Sequence, residues 1–146
     1  GLKTVNVVRR ESAVAAVKAA GGDVVLVDGP GLDQRVAEAT GQASIRLAID
    51  AVGGQATNRR AGCVAEGGTL VNYGLMSGED CVVSTRAFIF RDVRLRGFWL
   101  ALWFRKATPA QQERTVAVLT EALRQFEQAL PRGHCGVGSP MIRPRP

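Results

Sequence analysis

The chain has 146 residues, 46% hydrophobic and 22% charged, with a formal net charge of +6. That length suits one domain, able to bury roughly 70% of the surface its unfolded chain exposes. Mean hydropathy is near zero, and the longest apolar runs, such as "FWLALWF", fall far short of the ~20 residues a membrane-spanning helix needs.

No membrane partner is expected, and no basic start, apolar run and small-residue cleavage site opens the chain to suggest export. Arg132, Arg143 and Arg145, in a proline-rich tail without opposing carboxylates, supply about half of the charge excess. A nucleic-acid binder would show a continuous basic face, so nucleic acid is not the expected partner. Cys63, Cys81 and Cys135 are widely spaced and odd in number, which disfavours disulfides and structural zinc. They read as free thiols of a reducing compartment.

In chain order, "LKTVNVV" predicts a strand and "RRESAVAAVKAAGG" a helix stopped by Gly21 and Gly22. "DVVLV" predicts a second strand, and "GPGLDQRVAEATG" a helix with Leu32, Val36 and Ala39 on one face. Ile45 to Asp50 forms the next strand, then "AVGGQ" turns into a helix from about Ala56 to Ala65, closed by Gly67 and Gly68. Thr69 to Gly74 reads as another buried strand, and Val93 to Leu100 alternates apolar and basic residues before turning wholly apolar.

The last clear element starts at Thr108 as N-cap, with Pro109 first in the helix and Gln111 closing a capping box. Val116, Leu119, Leu123, Phe126 and Leu130 form a stripe expected to pack inward. Residues 1–130 are therefore expected to form one domain, and 131–146 an unstructured Arg/Gly/Pro tail. His134 and Cys135, within it, are assigned no role. Strands alternating with helices predict an α/β class, a doubly wound parallel sheet.

In such sheets ligands bind at the carboxyl ends of the strands. Arg9 and Arg10 stand there, directly after "VNVV". An acid at the equivalent place bonds a ribose hydroxyl, whereas an arginine fork pairs with a 2′-phosphate. The stretch "RDVRLRGFWLALWFRK", residues 91 to 106, mixes aromatics with cations and raises the question of what it faces.

The order "VNVVRRE", "AIDAVGG", "GGTLVNYGLM", "FIFRDVRLRGFWL" resembles the cofactor domain of medium-chain dehydrogenase/reductases. It is most similar to the NADPH-dependent trans-2-enoyl-thioester reductases of fatty-acid synthesis, related to quinone oxidoreductases. The resemblance runs from about Leu2 to Phe126, and it implies a Rossmann-like sheet that lacks its first strand and glycine-rich loop. That strand is central in the order 3-2-1-4-5-6. Its absence is expected to leave its two neighbours either closing up or facing a gap with unpaired backbone.

The resemblance further implies NADPH as cofactor, with Arg9 and Arg10 on the 2′-phosphate. Glu11 stands where a third cation is common, which is expected to weaken phosphate affinity. Tyr73, Gly74, Leu75 and Met76 match the turn along the ribose and nicotinamide, with Leu75 in place of a glycine. Phe98, Trp99 and Leu100 match the wall beside the nicotinamide. No catalytic residue is assigned, because the family's tyrosine acid comes from a preceding catalytic domain, and no metal ligand is assigned.

The implied function is that of a piece of an NADPH-dependent reductase of 2-enoyl thioesters, inactive alone, meeting its substrate only in the full-length enzyme. The arginine-rich tail fits translation from an altered reading frame. Alternatives are a quinone oxidoreductase or zinc-type alcohol dehydrogenase cofactor domain, or a remnant that binds nucleotide weakly or mediates oligomerisation. A homodimer through the last sheet strand is the implied assembly. The expected location is cytoplasmic, or mitochondrial in a eukaryote.

Overall fold

The computed structural model describes residues 2–129. One compact unit runs to Lys106 and a second begins at Ala107.

In the first unit, β1 (Val5–Val8) leads through a 3₁₀ turn into α1 (Val14–Ala19). Gly21 adopts φ +94, a left-handed conformation that stops the helix. The chain returns as β2 (Val24–Val27), parallel to β1 with Val5 opposite Val24. Then come α2 (Leu32–Thr40), β3 (Leu47–Asp50), α3 (Gly54–Cys63) and β4 (Thr69–Asn72). A π-helical segment, Arg86–Phe90, precedes β5 (Arg94–Gly97) and α4 (Leu100–Lys106). The alternating stretch from Val93 is thus a strand only as far as Gly97, and its wholly apolar end turns helical.

Every strand pairing is parallel, as the alternation of elements predicts, but the strands form two sheets, β1–β2 and β3–β4–β5. β1 and β3 do not close on each other. Parallel strands joined by helical crossovers can pair only where a neighbour lies at the right offset, and among the described residues no such neighbour joins these two.

Two features span the break. α2 packs against α3, close enough that a Cβ on Gly62 would lie in ordinary contact with Cβ of Asp33, at 3.5 Å. The Arg59 guanidinium on α3 also donates to both carboxylate oxygens of Asp28 at the end of β2, at 2.7 and 2.8 Å. Such fork-to-fork pairs are stronger than single-point ion pairs.

The core of the three-stranded sheet is Ala61, Val64, Leu70, Ala87 and Val93, with Ala48 and Val83 against it. The register places Ala48 and Leu70 on that face. Leu47 and Ile49, on the opposite face, remain 63% and 65% exposed, so this sheet is covered on one side only. On α2, Leu32 and Val36 are buried as expected, whereas Ala39 is exposed.

The second unit contains α5 (Pro109–Ala129), started by the expected capping box. Thr108 N donates to Gln111 Oε1 at 2.8 Å, and Gln111 N donates back to Thr108 Oγ1 at 3.3 Å. Its stripe is not buried: Val116, Leu119 and Leu123 are exposed, because among the described residues of its own unit this helix has no other element to pack against. The expectations for the Phe126 side chain, Leu130 and the tail 131–146 lie outside the described residues.

Removing the brace is expected to loosen the first unit. Arg59→Ala should lower unfolding free energy by about 1–2 kcal/mol, a value set by a partly exposed charged pair. Urea denaturation followed by circular dichroism measures it, and an unchanged midpoint would show that α2–α3 packing alone joins the halves.

Candidate functional site

Arg9 and Arg10 follow the last residue of β1, and both are exposed. Beside them, Asp28 N donates to Val8 O at 2.7 Å, continuing the ladder one residue past the strands. The Asp28 carboxylate is already engaged by Arg59, whose hydrogen bonds hold it below the usual carboxylate range. The two arginines are therefore left open to an outside anion.

The other strand ends are tied more tightly. Asp50, last residue of β3, is 1% exposed. Its carboxylate accepts from Val52 N (2.9 Å), Gly53 N (3.2 Å), Thr57 Oγ1 (2.6 Å) and Asn72 Nδ2 (3.3 Å). Arg60 Nη1 stands 3.5 Å from its other side, buried and without a hydrogen bond of its own. Burial pushes the Asp50 pKa up, but the Thr57 and Val52 bonds and the Arg60 charge outweigh it, and the net shift is down.

The turn after β4 is built on this junction. Tyr73 N donates to Asp50 O, Met76 N to Ala51 O, and Ser77 N to Val52 O, at 2.9, 3.0 and 2.8 Å. A Cβ on Gly74 would sit 2.6 Å from Ala51 O, so only glycine allows this approach. Leu75, standing where a glycine was expected, has no positive φ and is 59% exposed. The close backbone approach thus falls on Gly74, and Leu75 is accommodated.

Phe98 N donates to Asn72 O at 2.8 Å, which sets the end of β5 beside that of β4. Tyr73, Leu75 and Met76 therefore sit at a strand end adjacent to that of Phe98, Trp99 and Leu100. All six are exposed. Trp99 carries the Arg105 guanidinium 5.3 Å from its ring centre, and Trp103 meets Phe104 edge to face at 5.1 Å. The structure thus unites Tyr73–Met76 with Phe98–Leu100, and places Arg9 and Arg10 on the other sheet.

Sequence reasoning read "AVGGQ" as a turn but missed Asp50, just before it, as its organiser, along with Thr57, Asn72 and Arg60. A signal was available: a carboxylate ending an apolar strand must find partners if it is buried. The same holds for Asp28, which ends "VVLV". Its partner Arg59 is 31 residues away and carries no local signature.

Cys63 is held in its thiol form. Burial, then the Asp33 charge, raises its pKa to about 11, and Sγ donates to Arg59 O within its own helix. Among the described residues no three His, Cys, Asp or Glu side chains gather as a metal ion requires. Nor is any described helix long and apolar enough to cross a membrane.

Parallel strands joined by helices, with glycine turns at their carboxyl ends, define a Rossmann-type α/β domain with an interrupted sheet. The sequence profile of the family described as zinc-binding dehydrogenase matches residues 1–117, and the chain belongs to that family, within the medium-chain dehydrogenase/reductase superfamily. Among the described residues no set of side chains fits the zinc of the family's name.

The chain is 35% identical over 133 residues to the mitochondrial enoyl-[acyl-carrier-protein] reductase of Dictyostelium discoideum, covering 86% of this chain and 37% of that protein. It thus spans little more than a third of that relative's length. The structure of a putative NADPH:quinone reductase from Mesorhizobium loti superposes with a TM-score of 0.69 at 25% identity, over 88% of this chain and 37% of that one. The Etr1p/NADP/crotonyl-CoA complex superposes at 0.73 and 20% identity, over 89% and 38%, a likeness of fold.

The two carboxylates set the acid limit. Asp28 and Asp50 have folded pKa values below their ordinary ones. Their contribution to stability is present above the unfolded carboxylate pKa of ~3.9 and is lost as pH falls through the lower folded values. The thermal midpoint should therefore be steady above about pH 5 and drop below about pH 4. Asp50→Asn should start lower and show a shallower acid slope. A slope unchanged in that variant would remove Asp50 from the account.

Proposed function

We propose that this chain is the cofactor-binding part of an NADPH-dependent reductase of 2-enoyl thioesters, as used in fatty-acid synthesis, and that alone it binds dinucleotide without turning over substrate. The observation that carries the reading is the junction at the ends of β3, β4 and β5. Glycine at position 74 brings the Tyr73–Met76 turn onto Ala51, beside the Phe98–Leu100 segment. An exposed backbone turn flanked by aromatic and aliphatic side chains suits a flat heteroaromatic ring with a sugar attached. The Dictyostelium relative and the complex with NADP and crotonyl-CoA support the same substrate class.

Each segment has a distinct task in this reading. Arg9 and Arg10, open at the end of β1, pair with the 2′-phosphate that separates NADPH from NADH. Tyr73 to Met76 follow the ribose and the nicotinamide. Phe98, Trp99 and Leu100 shield the ring from water. Bound there, NADPH supplies the hydride for the β-carbon of an activated double bond. Tyr73 is the only tyrosine in the sequence and is assigned to the cofactor turn, so the acid for the α-carbon is assigned to residues outside this chain.

A quinone substrate is the second reading, favoured by the Mesorhizobium structure. Assaying the full gene product with both an enoyl thioester and a quinone separates the two. For assembly we propose a homodimer through β5, which among the described residues pairs only with β4 and is exposed along all four residues. Unpaired strand edges of this kind invite pairing with another chain. A mitochondrial location, as in the named relatives, follows if the source is eukaryotic, and a cytoplasmic one otherwise.

The cofactor reading is tested by titrating the chain with NADPH and with NADH while following reduced-nicotinamide fluorescence. NADPH should bind more tightly, and Arg10→Ala should weaken it about tenfold while leaving NADH unchanged, as expected for one charge-assisted contact. Binding of neither dinucleotide would refute the assignment.

A further inference from the structure

We infer that Asp50 is a positioning residue of the proposed site: its carboxylate sets the geometry of the Tyr73–Met76 turn by fixing two of the peptide groups from which that turn hangs. The inference rests on the cofactor reading for its functional consequence, but its geometry stands independently of it.

Peptide planarity sets the directions of these groups. In a trans peptide the C=O and the N–H point in opposite directions. Val52 N–H is aimed at Asp50 Oδ1, so the carbonyl of the same peptide, Ala51 O, points away from the carboxylate, and there it accepts from Met76 N at 3.0 Å. Gly53 N–H is aimed at Asp50 Oδ2, so Val52 O points away too, and it accepts from Ser77 N at 2.8 Å and from Ser77 Oγ at 2.7 Å. The two peptides that donate to the Asp50 carboxylate are two of the three that hold the turn, the third being that of Asp50 O, which accepts from Tyr73 N.

Other contacts keep the carboxylate from rotating. Thr57 Oγ1, in the second turn of α3, donates to Oδ2, and Asn72 Nδ2 reaches the same atom from the end of β4. Arg60 faces Oδ1. Gly53 contributes the φ of +82 that lets its amide turn toward the acid. Ala51 O is also the atom nearest to a Cβ on Gly74, so a small rotation of that peptide would close the space the turn needs. One buried side chain thereby couples the ends of β3 and β4 to the exposed face that would meet the nicotinamide.

Asparagine at position 50 keeps the volume but turns one acceptor oxygen into a donor. One of the two peptides then loses its bond and becomes free to rotate. Val52 N–H or Gly53 N–H is released, and with it the hold on Met76 or Ser77.

The test is amide hydrogen exchange on the full chain, read at Met76 and Ser77, in wild type, Asp50→Asn and Thr57→Val. Asp50→Asn should speed exchange at these two amides about tenfold, as for the loss of one buried hydrogen bond, while Val24 and Asp28 in the β1–β2 sheet exchange as in wild type. Thr57→Val should speed the same two amides to a smaller extent. NADPH affinity should weaken about tenfold in Asp50→Asn, with the emission maximum of the bound nicotinamide moving toward that of free NADPH.

Exchange that rises uniformly across both sheets would reduce Asp50 to a general stabiliser and overturn the inference. So would Met76 and Ser77 amides as protected in Asp50→Asn as in wild type. Should that variant fail to fold, Thr57→Val decides, and unchanged exchange at the two amides counts against the inference. If wild type binds no NADPH, the cofactor reading fails, while the exchange comparison still decides whether Asp50 positions the turn.

Discussion

A parallel sheet satisfies its backbone only through neighbours, and here the run of neighbours is interrupted between β1 and β3. Whatever holds the two halves together must come from side chains and helix packing. The packing of α2 against α3 supplies one part, and the Arg59 fork on Asp28 supplies a directed one. Net stabilities of about 5–15 kcal/mol leave little margin for a sheet broken in this way. The exposed Leu47 and Ile49 add to the strain on that margin, since burying each would be worth roughly 1.5–3 kcal/mol.

The break also divides the labour of the proposed site. The sheet of β1 and β2 carries the cations Arg9 and Arg10, and that of β3, β4 and β5 carries the turn and the aromatic segment. Asp28 belongs to both problems. It ends β2 next to the open arginines, yet its charge is spent on Arg59, so it does not neutralise them. Asp50 plays the corresponding part on the other side, where it is spent on local peptides and on Thr57. Two strand-ending acids, one bracing and one positioning, leave the exposed faces free for a ligand.

Local chemistry was legible in the sequence, and long-range pairing was not. The capping box at Thr108 and Gln111 and the glycine stop at Gly21 depend on contacts within a few residues, and they form as read. The parallel class followed from alternation of strands and helices. The turn at Tyr73–Met76 was located, with Leu75 noted in place of a glycine, but that the close atom, Ala51 O, lies against Gly74 was not legible. That distinction requires knowing which carbonyl faces the turn. Arg59 could not be foreseen at all, because a cation in a helix gives no sign of an acid 31 residues earlier. The stripe of α5 shows a different limit: periodicity identifies an apolar face but not what covers it.

The central claim is that one dinucleotide spans both sheets, phosphate end on Arg9 and Arg10 and nicotinamide end on the turn and aromatic segment. The most direct test is a titration of isotopically labelled chain with NADP⁺, following backbone amide chemical shifts. Residues 9–10, 73–76 and 98–100 should shift together with a single midpoint. Shifts confined to one sheet, or different midpoints for the two groups, would contradict the claim.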